Sequence, residues 1–150
     1  MSPDAAGAII PAIPTDYASL VKKMKLGAAT QPVLIGGPEG LREGLSKAIG
    51  RPIGDAFDGA HDWILVFAPD VAALEAALPD AETALASPGT LWIAYYKATS
   101  KQQTDLARDV GWDALRDTNL MWLTPISIDD TWSAFSLRKY QPGEARQTLR

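Results

Sequence analysis

The chain has 150 residues, 47% hydrophobic and 21% charged, with 12 glycines and 11 prolines, which predicts one ordinary globular domain with many turns. A formal net charge of -4 with no long Lys/Arg run argues against nucleic acid or a membrane surface as partner. The lack of cysteine removes disulfides, thiolate nucleophiles, iron–sulfur clusters and cysteine-ligated zinc, and a single histidine cannot build a histidine-rich metal centre.

Residues 1–16 carry three prolines and no hydrophobic periodicity, and are expected to form an extended or flexible lead-in. Asp4 and two prolines interrupt its apolar patch and no basic segment precedes it, so no signal peptide is expected. No apolar run reaches the roughly eighteen residues of a membrane span, and the expected location is cytoplasmic. A helix is predicted over about Asp16–Leu26, with Asp16 or Thr15 as N-cap and Leu20 and Met24 inward. Pro32–Ile35 is a continuous apolar run too short for a helix, and Gly36-Gly37-Pro38-Glu39-Gly40 follows it, predicting a buried strand that feeds a glycine turn.

A second helix is predicted over about Glu39–Ile49, with Leu41, Leu45, Ala48 and Ile49 on one stripe, and a short strand over Ile53–Phe57. Asp62–Ala68 is apolar on both faces, as parallel strands covered by helices are. Asp70 then caps a helix over Val71–Ala86 that Pro79 is expected to kink or split. Ser87-Pro88-Gly89 reads as a turn, Leu91–Tyr95 as a strand, and the residues from Ser100 onward as a polar helix. Leu120–Asp129 and Thr131–Tyr140 form a predicted antiparallel hairpin turning at Asp129-Asp130, and residues 141–150 a flexible tail.

Alternating strands and helices give an α/β fold, a small three-layer Rossmann-like domain over residues 17–140 with a mostly parallel sheet and a C-terminal antiparallel hairpin. The element order resembles an abbreviated methyltransferase-type Rossmann fold, which ends in such a hairpin. Three blocks, LWIAYYKATSK, TDLARDVGW and SIDDTWSAF, also resemble a family of short bacterial proteins of unknown function, over roughly Leu20–Lys139. In that family a proline usually stands before the lysine, where this chain has Tyr96 before Lys97. The resemblance implies a Rossmann-like fold and no established activity.

In open α/β sheets ligands sit beyond the C-terminal ends of the parallel strands. Three segments converge there: Gly36–Gly40, Ala68–Asp70 and Tyr96–Lys101. Gly36, Gly37, Glu39 and Gly40 read either as a plain strand-to-helix turn or as a loop aiming N–H groups at an anion. The loop lacks the spacing of the dinucleotide and P-loop fingerprints, and Pro38 removes one N–H. Lys97, Ser100, Lys101 and Arg108 read either as a phosphate or carboxylate site or as a helix start, since Ser100-Lys101-Gln102-Gln103 fits a capping box and Asp105 stands three residues before Arg108. Asp129-Asp130 is expected to be a hairpin turn rather than a carboxylate pair, Trp112 and Trp132 are expected in the core, and His61 falls at the wrong end of its strand for catalysis.

These residues leave three functions open. The first is a non-catalytic or regulatory domain binding a small anionic or nucleotide-like molecule. A degenerate or abbreviated S-adenosylmethionine-dependent methyltransferase is the second; it would need Asp55 or Asp58 to bind the cofactor ribose. The third is an assembly domain without a ligand, in which Met121-Trp122-Leu123 on the terminal hairpin pairs two copies as a homodimer.

Overall fold

A computed structural model describes residues 16–97, 104–108 and 110–147. The Asp16 carboxylate accepts the Ser19 N–H at 3.0 Å and so caps helix α1 (Tyr17–Lys23). The helix stops short of the expected Leu26 because Lys25 turns left-handed at φ 58° and Leu26–Ala28 close a 3-10 turn. Leu20, Met24 and Leu26 are buried by this arrangement. The Met24 carbonyl accepts two indole N–H groups, from Trp63 at 2.8 Å and Trp92 at 3.2 Å, which fastens the end of α1 to two strands at once.

The strands are β1 (Pro32–Ile35), β2 (His61–Phe67), β3 (Leu85–Tyr96), β4 (Leu120–Ser127) and β5 (Trp132–Lys139), and they lie in the order β1-β2-β3-β5-β4. The β1–β2 and β2–β3 pairs are parallel; β3–β5 and β5–β4 are antiparallel. Helices cover both faces. Side chains alternate along a strand, so Trp63, Leu65 and Trp92 pack with Leu20, Met24, Leu41 and Leu45 on the face of α1 and α2 (Leu41–Ile49). Ile64, Val66, Leu91 and Ile93 pack with Leu74 and Leu78 of α3 (Val71–Ala84) on the other. This is the expected three-layer α/β domain with a parallel half and a C-terminal antiparallel half.

Several boundaries differ from expectation, each for a local reason. The second helix starts at Leu41, since Gly40 is its N-cap at φ 87°, and the third ends at Ala84 with Pro79 inside it. The Ile53–Phe57 strand shrinks to one bridge, Gly54 beside Val33, because the Leu34 carbonyl that would continue the ladder takes a 2.8 Å hydrogen bond from Arg42 Nη2 instead. The Ser87–Gly89 turn lies inside β3, bulging out where the register steps from Leu85 opposite His61 to Thr90 opposite Trp63.

The polar helix has no counterpart among the described residues of 104–117. Thr104–Arg108 bends, Ala107 bridges Val110, and Asp113–Asp117 is a 3-10 turn. Leu106, Trp112 and Leu115 are all buried, a spacing that no single helical stripe provides, and Gly111 at φ 97° lets the chain double back between them. The Ser100 capping box falls outside the described residues.

The hairpin turns where the Asp129 carboxylate accepts the N–H groups of Thr131 and Trp132, both at 2.8 Å. Beyond β5, residues 141–147 fold back on the sheet. Glu144 makes a two-pronged pair with Arg138 at 2.8 and 2.9 Å and accepts the Gln141 N–H. The Arg138 hydrogen bonds first, and the Gln141 N–H second, hold the Glu144 carboxyl at about 2, below its usual 4.5.

Two outcomes test these contacts. Trp63→Phe removes one of the two indole bonds to Met24 and opens space beneath α1; a loss of about 1–3 kcal/mol in urea unfolding is expected. A carboxylate whose native value is depressed stabilises above its unfolded value and loses that effect as it protonates. The stability difference between the native chain and Glu144→Gln should therefore be constant above pH 4.5 and close as pH falls toward about 2.

Candidate functional site

The connections leave β1 and β2 in opposite directions. From β1 the chain runs through α2 to Gly54, which bridges Val33 on the side away from β2; from β2 it runs through α3 to β3. Since α2 and α3 lie on opposite faces, the C-terminal ends of β1 and β2 mark the crevice position where ligands usually sit in such sheets.

Gly36–Gly40 forms one bank of this crevice, exposed throughout. Gly36 at φ 76°, Gly37 at φ 90° and Gly40 at φ 87° adopt backbone that other residues rarely accept. Gly37 has a second constraint: a Cβ there would sit 2.6 Å from Cδ1 and Cε1 of Phe67, the last residue of β2. The Phe67 ring lies directly beneath this turn. It packs edge-on against Trp132 at 4.8 Å between centroids, and Trp132 stacks on Tyr96 at 4.1 Å, so an aromatic row runs along the strand ends.

The two helix N-termini at this edge differ in charge balance. The α3 terminus is filled by carboxylates, Asp70 accepting from Ala73 N at 2.8 Å and Asp105 from Val71 N at 2.9 Å. The α2 terminus has no side-chain cap. Its positive end is therefore the one left facing the glycine turn.

Lys97 stands elsewhere on the edge. Its N–H donates to the Thr131 carbonyl at 2.8 Å and its ammonium to Ser127 Oγ at 2.7 Å, which ties it to the hairpin, about 10 Å from β1 by strand spacing. Arg108 is exposed in the bend beside the Ala107–Val110 bridge, while Asp105, its expected partner, binds Val71. Ser100 and Lys101 lie outside the described residues. The glycine group thus faces Phe67, and Lys97 faces the hairpin. Phe67 and Asp105 are the edge residues that sequence reasoning missed: each acts through a partner far along the chain, and no local pattern marks either.

At the opposite end of β2, His61 is buried, with both ring nitrogens on main chain. Its Nε2 accepts the Asp58 N–H at 2.9 Å, which leaves Nδ1–H to donate to the Gln31 carbonyl at 2.9 Å. Neighbouring Asp62 is pushed up by partial burial, but hydrogen bonds from the Thr30 and Gln31 N–H groups and the Thr30 hydroxyl outweigh that and leave its carboxyl below the usual range. Both residues fasten β1 to β2. Also far from the crevice is a cavity of about 340 Å3 between Leu115, Leu120, Tyr140 and the tail. Arg146, in its wall, lies 4.5 Å over the Tyr140 ring and donates to the Thr118 carbonyl.

Among the described residues no group of three or more His, Asp or Glu side chains is arranged to hold a metal, and no helix is long and apolar enough to cross a membrane. No family model and no curated protein sequence matches the chain. Solved structures do. PigF with SAH matches at a TM-score of 0.62 and 9% identity, over 85% of this chain and 62% of that one. The mitomycin 7-O-methyltransferase MmcR matches at 0.56 and 12% identity, over 81% of this chain and 54% of that one. An O-methyltransferase family 2 protein from Planctomyces limnophilus, in complex with apigenin, matches at 0.52 and 13% identity, over 82% and 46%. At these identities the likeness is one of fold: the chain has the methyltransferase-type Rossmann-like fold. It spans about half to two-thirds of the length of those chains.

Gly37→Ala should lower stability by about 1–3 kcal/mol through the Phe67 clash and the positive φ together. In a double-mutant cycle, Phe67→Leu should recover part of that loss; strictly additive effects would show that the ring does not rest on the glycine.

Proposed function

We propose that the chain is an abbreviated methyltransferase-type domain that binds an adenosyl-type small molecule in the crevice between Gly36–Gly40 and Phe67. The observation that carries this reading is the glycine turn, held on the Phe67 ring and leading into α2, whose N-terminus has no side-chain cap.

The residues fit the parts of such a ligand. The α2 terminus suits its carboxylate or another anion. Asp55 is exposed, directly follows the Gly54 bridge beside β1, and comes 19 residues after Gly36, near the spacing at which an acidic side chain accepts hydrogen bonds from a ribose diol in dinucleotide-binding folds. S-adenosylmethionine, when bound, supplies an electrophilic methyl group. The chain's own contribution is to hold the adenosyl part at the sheet edge. Being shorter than the methyltransferases it resembles, it is assigned binding, and no transfer step is derived for it.

Calorimetry with S-adenosylhomocysteine, S-adenosylmethionine, adenosine and AMP tests the reading. Asp55→Ala removes a charged acceptor worth about 1.5–3 kcal/mol, so at least a tenfold loss of affinity for the ribosyl ligands is expected. Glu39→Gln removes an exposed carboxylate from the glycine turn, and should tighten the ligands with a carboxylate or phosphate while leaving adenosine unchanged. Absence of binding by all four at millimolar concentration ends the proposal.

A further inference from the structure

Strand β4 is one edge of the sheet, and an open edge presents main-chain groups to any passing strand. Two features blunt its C-terminal half. Pro125 has no N–H, and the bulge before it turns the Thr124 N–H and carbonyl onto the Ser136 hydroxyl at 3.1 and 3.3 Å. The N-terminal half is different: there, among the described residues, the protection is a single side chain. The Gln147 amide accepts the Trp122 N–H through Oε1 and donates to the Trp122 carbonyl through Nε2, both at 2.7 Å. One amide thereby stands in for the missing neighbour strand.

Residues 141–147 bring Gln147 there by further polar anchors, among them the Arg146 hydrogen bond to the Thr118 carbonyl. Glu144 pairs with Arg138 of β5, the Gln147 N–H donates to the Tyr140 hydroxyl at 2.8 Å, and Arg146 covers the Tyr140 ring. All of these residues except Thr118, Arg138, Tyr140 and Glu144 are exposed, so the segment is held by polar contacts at the surface rather than by a buried core.

We propose that residues 141–147 are a displaceable guard on β4, and that the surface beneath is a pairing edge for a second copy of this chain. The partner follows from symmetry. In an antiparallel pair, two directly opposed residues exchange both N–H···O bonds. With a two-fold axis at Trp122, each copy's N–H and carbonyl meet those of its mate, the same two bonds that Gln147 now makes. Leu123, 44% exposed beside it, adds apolar area to the contact. Pro125 stops the pairing three residues on, so the paired stretch is short and one amide is enough to block it.

Analytical ultracentrifugation of the full chain, a chain ending at Tyr140, and the full-length double variant Glu144→Gln/Gln147→Ala tests this, with circular dichroism to check folding. The shortened chain is expected to dimerise at least tenfold more tightly than the full chain, and the double variant to shift the same way. Adding Leu123→Lys, a charge on the edge, should return either to the association of the full chain. A folded shortened chain whose mass matches the full chain at every concentration overturns the proposal, as does association that Leu123→Lys leaves unchanged. Should the shortened chain not fold, the double variant decides by the same two criteria.

Discussion

The carbonyl of Met24 is the point at which one whole layer of the molecule is attached. Two indole N–H groups from adjacent parallel strands converge on it, Trp63 of β2 and Trp92 of β3. A helix-end carbonyl normally finds water or a cap; here it is buried, and leaving it or either indole unpaired would cost free energy. The two bonds therefore fix where α1 ends over the sheet. That position in turn sets α2, since the Tyr17 ring lies where a Cβ on Gly44 would be, 2.2 Å from its Cζ. The glycine turn feeding α2 is thus held from two sides, by Phe67 below and by α1 through α2 above.

Much of this was legible in the sequence, for reasons that can be named residue by residue. Trp63–Phe67 and Leu91–Tyr95 read as strands because burial on both faces removes alternation and leaves an apolar run. Asp16, Asp70 and Asp129 announced two helix starts and the hairpin turn because each satisfies main-chain N–H groups within three residues of itself. The stretch after Lys97 was opaque for the converse reason. Asp105 looked like the partner of Arg108 three residues on, but its carboxylate caps a helix thirty-four residues away. Leu106, Trp112 and Leu115 serve a core whose other members come from α3 and the strands, so their spacing obeys that surface and not a helical period.

The candidate site was half legible. Gly36–Gly40 could be placed at a strand end from the sequence alone, but its distinction from the α3 terminus could not. Both helix ends point to the same edge, and the N–H groups of one are taken by two carboxylates, while those of the other have no side-chain cap, with Glu43 nearby in its first turn. That difference depends on Asp105, a residue on a distant loop. Lys97, which the sequence grouped with the glycines, is drawn off by the hairpin, because Ser127 and Thr131 end and begin the two turn-flanking segments nearest to it.

The two edges of the sheet share one device. On the β1 side the ladder stops after Gly54, and the guanidinium of Arg42 takes the Leu34 carbonyl that a longer neighbour strand would have used. On the β4 side the amide of Gln147 takes both groups of Trp122. Each is a long polar side chain with the donor geometry of a peptide group, and each replaces one residue of an absent strand. A five-stranded open sheet has to end somewhere, and unpaired main-chain groups near its core are costly. The substitutes differ in permanence. Arg42 belongs to α2, which packs on the core through Leu41 and Leu45, so the β1 edge is closed for as long as the fold lasts. Gln147 belongs to a surface segment held by an ion pair and hydrogen bonds, so the β4 edge can open while the rest of the sheet stays folded.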